Sequence, residues 1–591
     1  MNGYPQADEW RSLAADVSSL YEQGDYDRAL EQAERVLRLA EETEGASHPD
    51  TASRLGDLAV LHEARGRYAT AEPLYERVLA IRERILPPDH PDVVLSLDNL
   101  ARVYCARGKS VEAESLYRRI LTLQERSLGS DHVAVAATLD DLARVLTARG
   151  RYPEASSLYR RALENRERAL GPDHPRLALS LENLGALETA QRHFPEAERR
   201  LEEALAAWEK AVGPHHPDVA ATLGGLAAVL DAQEKYAAAE PLYERALAIR
   251  EEALGPEHPD VARSLYGLAR SYHSQERFAE AQPLYECALA NQETALGPAH
   301  PLVAATLSEL ALLHAAQGRY ETADTLHRRA LSIREDAFGP HHAEVAASLA
   351  HLADLHRVQG EFEQAEPLYE RALAVRESTL GPEHRDMAAS LANLAELYYA
   401  QGRYEEAEPM YRRALEVGEE ALGGHDPQMA LSLNGLAVLL SVQERYDSAE
   451  PLYLRSLAIR EETLGPDHPD VAVSLGNLAV MYDAQGRYAE AEPLHRRALA
   501  IREAALGADH PHVATSLENL AEAYRAQGLY PEAESLYERA LAIDEHNLGS
   551  DHPDVAAGLD NLAALLREME KPDEATALEE RAKVIREDAH T

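Results

Sequence analysis

Histidine is the residue whose spacing first suggests chemistry. From His48 it returns every 42 residues, at 90, 132, 174, 216, 258, 300, 342, 384, 468, 510 and 552, with Asp426 filling the one remaining place. Such a row raises the prospect of zinc, which needs several ligands within a few ångströms of one ion. One histidine per repeat, on neighbouring helices ~8–10 Å apart, cannot gather that set. The doublets His215-His216 and His341-His342 have no cysteine or carboxylate at metal spacing. The expected role is local instead. A neutral imidazole at the start of a helix can accept a hydrogen bond from a free backbone N–H.

Other reactive patterns fail on inspection. Gly108-Lys109-Ser110 ends like a phosphate-binding loop, but that motif needs glycine five residues before its Gly-Lys, and Val103 stands there. No G-x-S-x-G, H-E-x-x-H or C-x-x-C occurs. Cys105 and Cys287 lie in different repeats and should not meet. No catalytic residue, metal site or cofactor is therefore expected, and the chain reads as a non-enzyme. The net charge of −43 disfavours nucleic acid, whose phosphates call for clustered Lys and Arg, and an anionic membrane surface likewise. A hydrophobic content of 45%, periodically placed, argues against disorder. The N-terminus lacks a basic stretch followed by an apolar one, and no apolar run approaches the ~20 residues of a membrane span, so a cytoplasmic protein is expected.

The 42-residue period means stacked units. In residues 465–503, Val471, Leu475, Leu478, Ala479 and Tyr482 form one stripe of an amphipathic helix. Pro469 and Asp470 suit its first turn, and Gly486 its end. A second stripe runs through Tyr488, Ala491, Leu494, Ala498 and Leu499 and closes at Gly507. Each unit is thus a helix–turn–helix hairpin, with no strand signal. Pro493 recurs at 73, 241, 283, 367, 409 and 451 and predicts a shared, tolerated bend in the second helix.

These residues resemble the tetratricopeptide repeat, in the 42-residue form of kinesin light chains, at Leu475, Leu478, Ala479, Tyr482, Gly486, Tyr488, Ala491 and Ala498. Glu503 stands where the usual 34-residue form places a proline. The resemblance implies an all-α, right-handed superhelical solenoid of about 14 hairpins. Residues 1–48 read as a degenerate capping hairpin with Trp10 over the end of the stack, 49–552 as twelve full repeats, and 553–591 as a last hairpin with a charged capping helix. No room is left for a catalytic domain, or for the heptad segment by which kinesin light chains join their motor. Gly423-Gly424-His425-Asp426 shifts the histidine register, but no structural break is expected there. Arg192, Glu234, Glu276, Glu444 and Glu570 replace the hairpin-turn glycine, so those turns should be made another way. The many Glu–Arg pairs on the second helices read as solvated faces with modest i,i+4 support.

Opposite the core stripe of the first helix lie Val473, Asn477, Val480 and Ala484, where a solvated face would carry Lys and Glu. Asparagine holds the position of Asn477 also at Asn99, Asn183, Asn393, Asn519 and Asn561. An amide both donates and accepts, so a row of them can pair with the backbone of an extended peptide. The resemblance implies that the first helices line a concave groove in which these six asparagines contact bound peptide. The alternative is that small residues let crowded inner helices approach while Asn satisfies local groups. Arg102, Arg144, Arg263 and Arg270 give the N-terminal half of the inner face a basic stretch suited to an acidic segment. The expected function is a monomeric peptide- or protein-binding scaffold. The rivals are a self-assembling structural protein and a regulatory partner of a separately encoded enzyme.

Overall fold

A computed structural model describes residues 5–22, 25–171, 174–422 and 426–588. Among the described residues there are 28 α-helices and no strand, paired in order as fourteen hairpins. First helices of the repeats run 15 or 16 residues, as in Pro469–Ala484, and second helices mostly 19, as in Tyr488–Leu506. The predicted register is the observed one, and Val471, Leu475, Leu478, Ala479 and Tyr482 are all buried. The second helices run unbroken through Pro73, Pro241 and Pro493. Trp10 is buried in a cluster with Val17, Ala29, Leu30 and Ala33 of the first hairpin and Leu58 and Leu61 of the next. The chain forms two compact units, residues 1–379 and 380–591, a division that no sequence signal announced. The irregular Gly423-Gly424-His425 stretch lies outside the described residues.

The histidine ladder is a capping ladder. Nδ1 of each repeat histidine accepts from the backbone N–H two residues on, at 3.1–3.2 Å, as at His48, His258, His468 and His552. Asp426 does the same with its carboxylate, accepting from the Gln428 N–H at 2.8 Å. Either group satisfies one of the orphan donors at a helix start, worth about 1 kcal/mol.

The hairpin turns depart from expectation. At Gly66, with φ +68°, the Gly66 N–H donates to the Glu63 carbonyl and the Arg67 N–H to that of His62, which closes the first helix through a left-handed residue. Where glycine is replaced, the turn is the same turn. Arg192, Glu234, Glu276, Glu444 and Glu570 all take φ between 58° and 61°. At Glu276 the same two bonds form, to His273 and Tyr272. Surrounding hydrogen bonds and packing therefore impose a conformation that costs a side-chain-bearing residue ~1–2 kcal/mol.

Beside the expected i,i+4 pairs, such as Arg199–Glu203 at 2.7 Å and Arg412–Glu408 at 2.6 Å, Glu–Arg pairs also link one repeat to the next. Arg245 bridges Glu209, Arg455 bridges Glu419 and Arg497 bridges Glu461, each at 2.6 Å and 36 residues apart, so the bridges join successive second helices. A second row is buried at Arg250 and Arg460 and half-buried at Arg82. Arg82, Arg250 and Arg460 each donate to the hydroxyl of a serine 14 residues on, in the next hairpin (Ser96, Ser264, Ser474), at 2.6–2.8 Å.

Within the first unit the superhelix closes on itself. Arg65, at the turn after helix Pro49–Ala64, donates to the Leu296 carbonyl at 3.1 Å, 231 residues later. One repeat on, Arg107 donates to the Phe338 carbonyl, again 231 residues later. Five and a half 42-residue repeats thus bring successive superhelical turns into contact. The Tyr68 ring stacks on Phe338 at 5.7 Å, and Phe338 on His342 at 4.3 Å. His300, enclosed in the same seam, is pushed down to about 4, chiefly by burial and further by the Arg65 guanidinium. Arginine occupies this turn position only at 65, 107 and 149, while the next nine repeats carry glutamine there, from Gln191 to Gln527.

Candidate functional site

Which helices line the inner face follows from packing. In the first unit, helix Pro217–Asp231 touches the first helices before and after it, Arg176–Ala190 and Pro259–Ser274. In the second unit, Pro469–Ala484 likewise touches Pro427–Val442 and Pro511–Ala526. First helices that crowd together lie on the inside of the curve. Their outward-turned row is apolar and open: Leu431 is 54% exposed, Val480 48% and Val473 37%. Leu95 and Leu179 continue the row in the first unit. Large exposed apolar side chains in a line are unusual on a solvated face.

Between them sit the six asparagines. Asn99, Asn183, Asn393, Asn477 and Asn519 are half-buried and Asn561 is exposed. One has a hydrogen-bond partner on the preceding first helix: Asn477 Nδ2 donates to Asn434 Oδ1 at 3.1 Å. That amide ties two neighbouring first helices together, while Asn477 stays half-buried.

The four arginines separate into two kinds. Arg102 holds both carboxylate oxygens of Glu63, at 2.8 and 3.0 Å, and Arg144 holds Asp141 at 2.7 Å. Their charge is met within the chain. Arg263, with 71% of its side chain exposed, reaches Asp260 only at 3.8 Å, and Arg270 has no carboxylate within 4 Å. The structure brings these last two together, with Arg250, around a cavity of about 280 Å³ between helices Pro217–Asp231 and Pro259–Ser274.

That cavity exists because two asparagine positions are glycine. Gly225 and Gly267 leave its floor open, and a Cβ on Gly267 would meet the Tyr243 ring at 2.8 Å. No carboxylate lines it. Burial lowers the Arg250 guanidinium below the usual arginine range, and the like charge of Arg263 adds to the effect. The Tyr243 hydroxyl, buried in the wall, makes no hydrogen bond of good geometry. Arg250 lies in the run AIRE shared by several second helices, where nothing in the sequence distinguishes it from a surface arginine; its 42-residue kinship with Arg82, Arg166 and Arg334 was the available signal.

One further feature is the pair His327, buried on the second helix Tyr320–Phe338, and His351, on the first helix that follows, with ring centroids 5.7 Å apart. His327 takes the place of a buried tyrosine, and neither of its nitrogens has a hydrogen-bond partner. It is pushed down to about 4, first by burial and then by His351 and Arg334. Among the described residues no three His, Cys, Asp or Glu side chains form a group able to hold a metal ion. Nor is any described helix long and apolar enough to cross a membrane.

Comparison with known proteins agrees with this geometry. The tetratricopeptide repeat model matches residues 17–84, 92–168, 142–210, 177–252, 218–294, 302–378, 346–420, 386–453, 428–504, 484–546 and 512–588. No curated protein sequence matches the chain. Among solved structures, BtubC (BKLC) from P. vanneervenii is 25% identical, covering 38% of this chain and 90% of its own, with a TM-score of 0.33. A Podosopora anserina protein with nearly identical TPR-like repeats is 29% identical, covering 35% of this chain and 98% of its own, with a TM-score of 0.30. Hairpin geometry and repeat matches from end to end lead to one assignment: the chain belongs to the tetratricopeptide repeat family, whose members generally mediate protein–protein interaction.

Proposed function

We propose that this protein is a non-enzymatic scaffold that binds an extended segment of a partner protein along the inner faces of its first helices. The observation that carries the reading is the open row Leu431, Val473 and Val480, exposed where a helix in water would present Lys and Glu. A peptide laid along that row covers the apolar side chains, each worth ~1.5–3 kcal/mol on full burial, while Asn393, Asn477, Asn519 and Asn561 engage its backbone. In the first unit Asn99 and Asn183 take the same part. The segment bound there is acidic, because Arg263 and Arg270 are inner-face cations that no carboxylate of the chain approaches closer than 3.8 Å.

The test is affinity capture from native lysate with the wild type and with Asn477→Ala/Asn519→Ala. Loss of one amide-to-amide bond to Asn434 leaves the hairpin cores intact, so melting by circular dichroism should be nearly unchanged. A partner held by the wild type and lost by the variant supports the groove. Retention of every partner by a folded variant removes the asparagine row from the reading.

A further inference from the structure

We propose that the cavity between helices Pro217–Asp231 and Pro259–Ser274 is a recognition site for a phosphorylated side chain of the bound segment, held by Arg263 and Arg270 with Arg250 beneath them. This rests on the groove reading and specifies one position within it. The chain carries 102 acidic against 59 basic side chains, and elsewhere on the inner face Arg102 and Arg144 are closely paired. Here two of three guanidinium groups have no carboxylate within 4 Å and the third has one at 3.8 Å, around a space of about 280 Å³.

The nearby acids Asp231 and Glu309 act on Arg270 only from beyond 4 Å and hold hydrogen bonds of their own. Asp231 accepts from the Ser271 hydroxyl at 2.9 Å, and Glu309 accepts from Tyr266 and Tyr285 at 3.4 Å. Asp260 stays at the rim beside Arg263. The floor is cleared by Gly225 and Gly267, and the Tyr243 hydroxyl in the wall stands beside Arg270 and Asp231.

A single carboxylate is satisfied by one forked guanidinium. A phosphate monoester has three acceptor oxygens and a charge of about −1.5 to −2 at pH 7, which matches several guanidinium groups lining one cavity. Arg250 contributes through its fixed position, since its bond to the Ser264 hydroxyl at 2.6 Å holds the head group below the cavity.

The experiment uses the full chain and three versions of one acidic twelve-residue peptide, with phosphoserine, serine or glutamate at its centre, measured by calorimetry at constant ionic strength. The phosphoserine peptide is expected to bind at least tenfold more tightly than the other two. Arg263→Ala/Arg270→Ala should abolish that difference, whereas Asn477→Ala/Asn519→Ala, in the other unit, should preserve it. Equal binding of the three peptides refutes the phosphate site while leaving an acidic-segment groove in place. Survival of the tenfold difference in the arginine variant also refutes it. No binding of the phosphoserine peptide at millimolar concentration does the same, and the groove reading is then decided by the capture experiment alone.

Discussion

Alanine at Gly66 should open the seam that closes the first unit, and alanine at Gly486 should not. Both glycines end a first helix with nearly the same backbone, φ +68° and +72°. The conformational cost of a Cβ is therefore shared, at ~1–2 kcal/mol, and the fold already accepts it at five positions that carry Arg or Glu. The surroundings differ. A Cβ at Gly486 meets nothing within 4 Å, while one at Gly66 runs into the ring of Pro301 and presses on His300. Moving that loop away breaks the Arg65 bond to the Leu296 carbonyl, a charge-assisted bond worth ~1.5–3 kcal/mol. A difference of about 2 kcal/mol between the variants corresponds to more than tenfold faster exchange of the loop amides. Hydrogen exchange read at His300 and Val303, whose N–H groups are bonded to Gly297 and His300, reports this directly. Wild-type protection at those amides in the Gly66→Ala protein would refute the seam as a closed contact.

Glu276→Gly should stabilise the protein by about 0.5–1 kcal/mol, since the left-handed strain is removed and the greater freedom of the unfolded glycine offsets only part of the gain. A thermal melt that falls instead would show that the Glu276 side chain contributes more than its backbone costs. His327 gives a pH dependence with a definite sign. Its folded value, pushed to about 4, lies below the free value of 6.5, so the unfolded chain binds the proton more readily. The neutral form's stability is complete above pH 6.5 and drains away as pH falls towards 4, by about 3 kcal/mol at most. His327→Tyr, which restores the residue of most other repeats, should remove that share, so melting curves of the two proteins should diverge between pH 6.5 and 4. Parallel curves would mean that His327 does not titrate with folding.

The hairpins were legible because one pattern is written thirteen times, and Val471 or Leu475 cannot be buried in any other register. The histidine caps were legible for the same reason: Pro469 and Asp470 mark the helix start, so His468 has only the cap to occupy. Long-range contacts were not. Nothing local tells that Arg65 reaches Leu296, because the pitch of a superhelix sums small rotations over five and a half repeats. The turn at Glu276 misled because propensity alone disfavours it, and tertiary context overrides propensity. On the inner face, position could be read but occupancy could not. Arg102 and Arg270 hold equivalent places, yet Glu63 neutralises the first, and only folding shows that no acid reaches the second. The cavity arose from the substituted positions Gly225 and Gly267, where glycine interrupts the asparagine row.

The most direct test of the inner-face account is a hydrogen-exchange footprint of the captured partner on the full-length protein. Protection on binding is expected in first helices, at Pro259–Ser274 in the first unit and at Pro427–Val442, Pro469–Ala484 and Pro511–Ala526 in the second. The second helices Tyr446–Leu464 and Tyr488–Leu506 should exchange as in the free protein. Protection confined to those second helices would place the partner on the outer surface and contradict the account.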